Sequence, residues 1–230
     1  MHAGMYFFDV GGTLVEPVLD PADATLRILD AIGAGGGEAA RRDALAAVAH
    51  AYAAGIYAPS SPAGERALWR ALATVCLDRL PGGARREWVA ALEQALAGYF
   101  GWYRPIEGMP ELIADLRRVG RPVGIISNWP PSLDALLAQL GFGVFPLVAC
   151  SGPLRCTKPD PAIFRWALCR AGVPAAECWY VGNDPDADYV PAAALGMRAV
   201  LWDPSGRFAG SGMRRAGAVP ELRAILGLGG

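Results

Sequence analysis

The chain has 230 residues, enough for one large domain or for a core domain carrying a smaller insertion. Its 21 basic and 22 acidic side chains nearly cancel and form no basic tract. That balance excludes a surface built to neutralise nucleic-acid phosphates or an anionic membrane, and the arginine doublets at 41–42, 85–86, 117–118 and 214–215 are solvated helix faces in this reading. Five cysteines, Cys76, Cys150, Cys156, Cys169 and Cys178, are odd in number and contain no Cys-x-x-Cys pair, so neither a disulfide framework nor a zinc site is expected. With no cationic leader and no apolar stretch of membrane length, the expectation is a soluble cytoplasmic protein. Abundant alanine and glycine, with arginine far outnumbering lysine, fit a GC-rich bacterial genome.

The first element is a strand, Met5-Tyr6-Phe7-Phe8, which ends in Asp9-Val10-Gly11-Gly12-Thr13-Leu14. A carboxylate at the mouth of a buried strand, followed by a sharp turn on two glycines, is placed to act as a nucleophile and to ligate a hard cation. The pattern then changes to helix period. Asp20-Pro21 reads as an N-cap and first helical residue for a helix through Ile32, ended by the Gly33–Gly37 cluster. A second helix shows Leu45, Val48, Ala49 and Tyr52 on one face, a third Trp69, Leu72, Cys76 and Leu80, and a fourth Trp88, Leu92, Leu96 and Tyr99. Residues 16–104 are thus expected to form a small helical cap domain, inserted into a core domain of residues 1–15 and 105–230.

Downstream, helices alternate with strands. Pro110–Val119 precedes a strand at Pro122–Ile126, Leu133–Leu140 one at Val144–Cys150, and Ala162–Ala171 one at Cys178–Val181, with a further strand at Met197–Trp202. Gly120, Gly141, Gly172 and Gly196 each follow a helix, where a left-handed residue is commonly required. The fold class expected is α/β, a Rossmann-like parallel sheet flanked by helices. Ser205–Ala218 reads as a loose loop before a last helix at Pro220–Leu226, and nothing in the sequence indicates an oligomeric state.

Three later segments accompany Asp9: Ile125-Ile126-Ser127-Asn128, then Lys158-Pro159-Asp160-Pro161, then Tyr180-Val181-Gly182-Asn183-Asp184 with Asp188 following. In order and spacing the set resembles the haloacid dehalogenase superfamily of Asp-nucleophile hydrolases across residues 5–203. The resemblance implies that the four segments meet beyond the carboxyl ends of the strands. It implies Asp9 as nucleophile, Lys158 as the cation facing the transferred group, and Mg²⁺ held by Asp9, Asp184 and the Gly11 carbonyl. Ser127 and Asn128 would bind phosphoryl oxygens, Gly12 would let the backbone approach the transferring group, and Thr13 would fix the turn. Asn183 and Asp188 are supporting residues, Asp188 by pairing with Lys158. The substrate implied is a small phosphorylated metabolite, selected by a cap whose aromatics Tyr52, Tyr57, Trp69, Trp102 and Tyr103 could floor an apolar-lined site but are better read as bundle core.

One position departs from the family. Its phosphatases carry a second aspartate two residues after the nucleophile, as general acid and base, and here Gly11 stands there. Loss of positioned proton transfer slows expulsion of a poor leaving group by roughly 10²–10⁴-fold. His2 precedes the first strand and His50 lies beside a cap-helix face, so neither is an evident substitute. Three readings stay open: a Mg²⁺-dependent phosphatase, a metal-independent 2-haloacid dehalogenase whose halide needs no proton, and a catalytically degenerate binding protein. A phosphonate-cleaving relative, which needs a cap lysine, is set aside because residues 16–104 contain none.

Overall fold

The computed structural model describes residues 4–55 and 59–228. Its centre is β1 (Tyr6–Phe8), three aromatic residues of which none is more than 9% exposed, the burial expected of a strand covered on both faces. The chain then runs through β2 (Val15–Pro17), α1 (Pro21–Ala31), α2 (Glu38–Gly55), α3 (Pro62–Leu77), α4 (Arg86–Ala97) and β3 (Tyr103–Pro105). The alternating part comes next: α5 (Met109–Arg118), β4 (Val123–Ser127), α6 (Leu133–Gln139), β5 (Val148–Cys150), α7 (Ser151–Leu154), α8 (Pro161–Ala171), β6 (Trp179–Gly182), α9 (Val190–Ala194), β7 (Arg198–Trp202), β8 (Arg215–Ala216) and α10 (Val219–Ile225). The sheet order is β5-β4-β1-β6-β7-β8, parallel at every pairing, with Phe8 opposite Ile125 on one side and Val181 on the other. This is the α/β Rossmann-like architecture that the alternation predicts.

Two compact units result. The first comprises the chain through Glu16, Pro105–Asn128 and Leu133 onward; the second comprises Pro17–Arg104 and Trp129–Ser132. One core cluster of the first unit packs Phe7, Ile126, Ile163, Phe164 and Tyr180. In the second, Trp69, Leu72, Cys76 and Leu80 are buried as their spacing predicts, and Tyr103 meets Trp129 edge-on at 5.3 Å. The helix α1 starts as expected, with Asp20 Oδ1 accepting from the Ala22 amide at 2.8 Å. Glu65 on α3, a buried carboxylate, accepts from the Ser132 amide at 3.0 Å and hydroxyl at 2.5 Å.

Several expectations are corrected. The face of α2 is turned from the predicted one: Ala44 is fully buried, while Ala49 and His50 are exposed. The side chains of Tyr52 and Tyr99, with Tyr57 and His2, lie outside the described residues. The strand expected over 144–150 is reduced to Val148–Cys150. Pro146 cannot donate to a ladder, and Arg117 draws the Phe142 and Val144 carbonyls out of register at 2.5 and 3.0 Å. The loop expected over 205–218 is organised, because the buried Asp203 carboxylate accepts from the amides of Arg207 at 2.9 Å and Phe208 at 3.0 Å. That turn delivers β8 to the edge of β7.

Gly124, inside β4, has no room for a side chain. A Cβ there would lie 2.7 Å from the Met5 methyl, 2.9 Å from the Phe7 ring and 3.0 Å from the Leu147 carbonyl. Gly124→Ala is expected to destabilise the chain by about 1–3 kcal/mol in urea denaturation, the usual cost of overpacking.

Candidate active site

Asp9 leaves the end of β1 with its amide bonded to the Val181 carbonyl at 2.8 Å, so the central position of β1 fixes where its side chain emerges. The next residues turn at once, with the Val10 carbonyl accepting from the amides of Thr13, Leu14 and Val15. Gly12 adopts φ +73°, and a Cβ on it would stand 2.6 Å from the Asn183 side-chain nitrogen. Both facts restrict position 12 to glycine. Thr13 Oγ1 donates to Asn183 Oδ1 at 3.3 Å, tying the turn to the loop after β6.

Around Asp9 the structure gathers Ser127, Lys158 and Asp188. Ser127 Oγ donates to Asp9 Oδ1 at 2.8 Å, and Lys158 Nζ donates to the same oxygen at 2.6 Å and to Asp188 Oδ1 at 2.6 Å. Asp9 and Lys158 are each 6% exposed, Asp188 2% and Ser127 1%, so these charges face one another out of water. Lys158 is also the only lysine in the chain. The Asn128 side chain clasps the Lys158 main chain, donating to the carbonyl at 3.0 Å and accepting from the amide at 2.7 Å. That leaves its own backbone amide, not its side chain, as the group free to serve a ligand.

Asp184 stands apart from this buried network. It is exposed, and its Oδ1 accepts from the amides of Asp186 and Ala187, capping the π-helical turn Pro185–Tyr189 that precedes α9. Its link to the cluster is through the main chain, its amide donating to Asp188 Oδ2 at 3.0 Å. Asp188 in turn fits only because residue 182 is glycine, since a Cβ there would lie 2.4 Å from the Asp188 carboxyl carbon. Sequence reasoning missed Tyr180, fully buried in β6, whose hydroxyl lies 2.7 Å from Asp188 Oδ1 and 3.2 Å from Lys158 Nζ. A tyrosine within a strand buried on both faces must find a partner for its hydroxyl, and that was the available signal.

Burial pushes the Asp9 carboxyl above the ordinary carboxylate range; the Lys158 ammonium pulls it back and the Asp188 carboxylate pushes it up again. Burial opposes the charge on Lys158, but Asp9 and Asp188 outweigh it and raise the ammonium above its usual value. Tyr180 is held well above the ordinary phenol by burial, then by Asp188 and Asp9.

Two carboxylates against one ammonium leave the buried cluster one negative charge in excess. All hydrogen bonds to Asp9 fall on Oδ1, so Oδ2 is unengaged among the described residues, as is Asp184 Oδ2. No main-chain hydrogen bond among them ends on the Gly11 carbonyl. No cluster of three or more His, Cys, Asp or Glu is gathered among the described residues, so the donors on offer are few and all oxygen. Such a set fits a hard cation that keeps several waters, as Mg²⁺ does.

Removal of Lys158 tests the electrostatics. Between the ordinary and the raised value of Asp9 the folded chain binds more protons than the unfolded one, so this carboxyl lowers stability as pH rises through that interval. Lys158→Met removes the chief opposing influence and carries the interval upward. The variant is expected to lose about 3–5 kcal/mol near neutral pH, with a deficit that shrinks towards about pH 5, in urea denaturations at both values.

A family model described as haloacid dehalogenase-like hydrolase matches residues 5–196 of the chain. Haloacid dehalogenase-like hydrolase domain-containing protein 3 of Danio rerio is 38% identical over 84 residues, 36% of this chain and 35% of that protein. Phosphoserine phosphatase of Thermus thermophilus is 33% identical over 157 residues, 60% of this chain and 63% of that protein. In both cases the match spans less than two thirds of the relative's own length. Among solved structures, a 2-haloacid dehalogenase from Pseudomonas syringae aligns with a TM-score of 0.70 over 97% of each chain at 20% identity, which shows a common fold. The parallel sheet, the acid at the tip of its central strand and the family match over residues 5–196 together establish that the chain belongs to the haloacid dehalogenase-like hydrolases.

Proposed function

We propose that the protein is a Mg²⁺-dependent phosphatase acting on a small phosphorylated metabolite in the cytoplasm, with Asp9 as nucleophile. The observation that carries this is the asymmetry of the Asp9 carboxylate: Ser127 and Lys158 both hold Oδ1, leaving Oδ2 to attack. The match to a phosphoserine phosphatase supports the substrate class.

In this reading Oδ2 attacks phosphorus and the bond to the leaving oxygen breaks, giving an aspartyl phosphate. Water then attacks the same phosphorus, releasing inorganic phosphate and regenerating the carboxylate. Lys158, Ser127 and the Asn128 backbone amide answer the negative charge on the transferred group. A divalent ion, for which Asp9, Asp184 and the Gly11 carbonyl would be the ligands, would offset the repulsion between an anionic nucleophile and an anionic phosphate. The second unit, Pro17–Arg104, serves as the cap that selects the substrate.

Gly11 shapes the expected kinetics. It supplies no proton, so turnover depends on a leaving group that departs as an anion. p-Nitrophenyl phosphate is expected to be hydrolysed with Mg²⁺, to be spared under chelator, and to be untouched by Asp9→Asn. Gly11 does not adopt a positive φ, so Gly11→Asp is tolerable to the backbone and is expected to raise kcat with alkyl phosphates by at least about 10²-fold. A wild-type protein indistinguishable from Asp9→Asn in every hydrolytic assay would leave a binding protein instead.

Gly11 also favours a second reading, because halide leaves without a proton. In a 2-haloacid dehalogenase, Oδ2 would displace halide from carbon and water would cleave the resulting ester. Chloride released from 2-chloropropionate in the presence of chelator, and lost in Asp9→Asn, would select that chemistry over the phosphatase.

A further inference from the structure

The Lys158 ammonium has three protons, and the structure accounts for all of them: Asp9 Oδ1 at 2.6 Å, Asp188 Oδ1 at 2.6 Å and the Tyr180 hydroxyl at 3.2 Å. None remains for a ligand. An anion that is to meet this ammonium must therefore replace one of the three acceptors, and the longest of the bonds, to a neutral phenol, is the one that yields at least cost.

The same hydroxyl touches the other parts of the site. It donates to Asp188 Oδ1 at 2.7 Å and lies 3.2 Å from the carbonyl oxygen of Ile126, the residue before Ser127. One oxygen atom thus sits against the strand that carries Ser127, the segment that carries Lys158 and the acid that holds the Asp184 amide. We infer that Tyr180 is a positioning residue: its hydroxyl parks the third Lys158 proton and fixes the ammonium between Asp9 and Asp188, then releases that proton to the incoming anionic group. This rests on the reading of Asp9 and Lys158 as the phosphoryl-transfer pair. Tyr180 itself stays within the core, its ring edge-on to Phe164 at 5.2 Å, and touches no reacting atom.

Tyr180→Phe keeps the ring and removes the hydroxyl. Phe164→Leu loosens the same packing while leaving the hydroxyl in place, and sets the level of a merely structural change. Because Lys158 is the only lysine, protein grown on nitrogen-labelled lysine gives a single side-chain ammonium resonance. In Tyr180→Phe its proton exchange is expected to quicken about tenfold or more, and kcat for p-nitrophenyl phosphate to fall about tenfold with KM within about twofold, since hydrogen bonds to charged groups are worth that much. Phe164→Leu is expected to lower the melting temperature yet leave the exchange rate and kcat near wild type. Unchanged exchange in Tyr180→Phe, or equal changes in both variants, would overturn the inference. A wild-type protein with no turnover at all would refute the phosphatase reading, while the exchange comparison would still decide the role of Tyr180.

Discussion

Everything at the site turns on one buried ammonium held between two carboxylates. Among the described residues Lys158 is the one cation paired with Asp9 and Asp188, and with these groups excluded from water their mutual attraction must offset the cost of desolvation. Elsewhere in the chain every lysine-like task is given to arginine, at the surface or against backbone carbonyls. Here a compact point charge with three radially disposed donors meets three acceptors, an arrangement to which the planar fork of a guanidinium is less suited.

The parallel sheet makes this convergence possible. Asp9 and Ser127 are 118 residues apart and Asp9 and Lys158 149, yet β4 flanks β1 directly and β5 lies beside β4, so Ser127 at the end of β4 and Lys158 in the segment after β5 and α7 arrive at the carboxyl end of β1. Two glycines then allow contacts no other residue would permit: Gly12 against Asn183, and Gly182 against Asp188. The site is thus held by the sheet from below and by side-chain bonds among its own loops from above.

How much of this was legible in the sequence depended on the range of the interaction involved. Strand and helix order came from local periodicity and from glycines after helices, and the resemblance carried by Asp9, Ser127, Lys158 and Asp184 led to the right family. The edges of elements were less legible where a distant side chain decides them: Arg117 shortens β5, and Asp203 turns an apparently loose loop into the approach to β8. The Asp184 carboxylate caps a π-helical turn, and the Asn128 side chain clasps the Lys158 backbone. No spacing rule announces either use, because both depend on loop geometry. Tyr180 was hidden for a similar reason, being an apolar-looking strand residue until its hydroxyl is seen to face Lys158.

The central claim is that Asp9 takes the phosphoryl group on its own oxygen. Rapid quenching of the protein during turnover of p-nitrophenyl phosphate, reduction with borohydride and peptide mass spectrometry test it directly, since an acyl phosphate is reduced and a free carboxylate is not. The account predicts homoserine at position 9 in the wild-type protein and none in Asp9→Asn. Full turnover with an unreduced Asp9, or reduction at another acid, would contradict it.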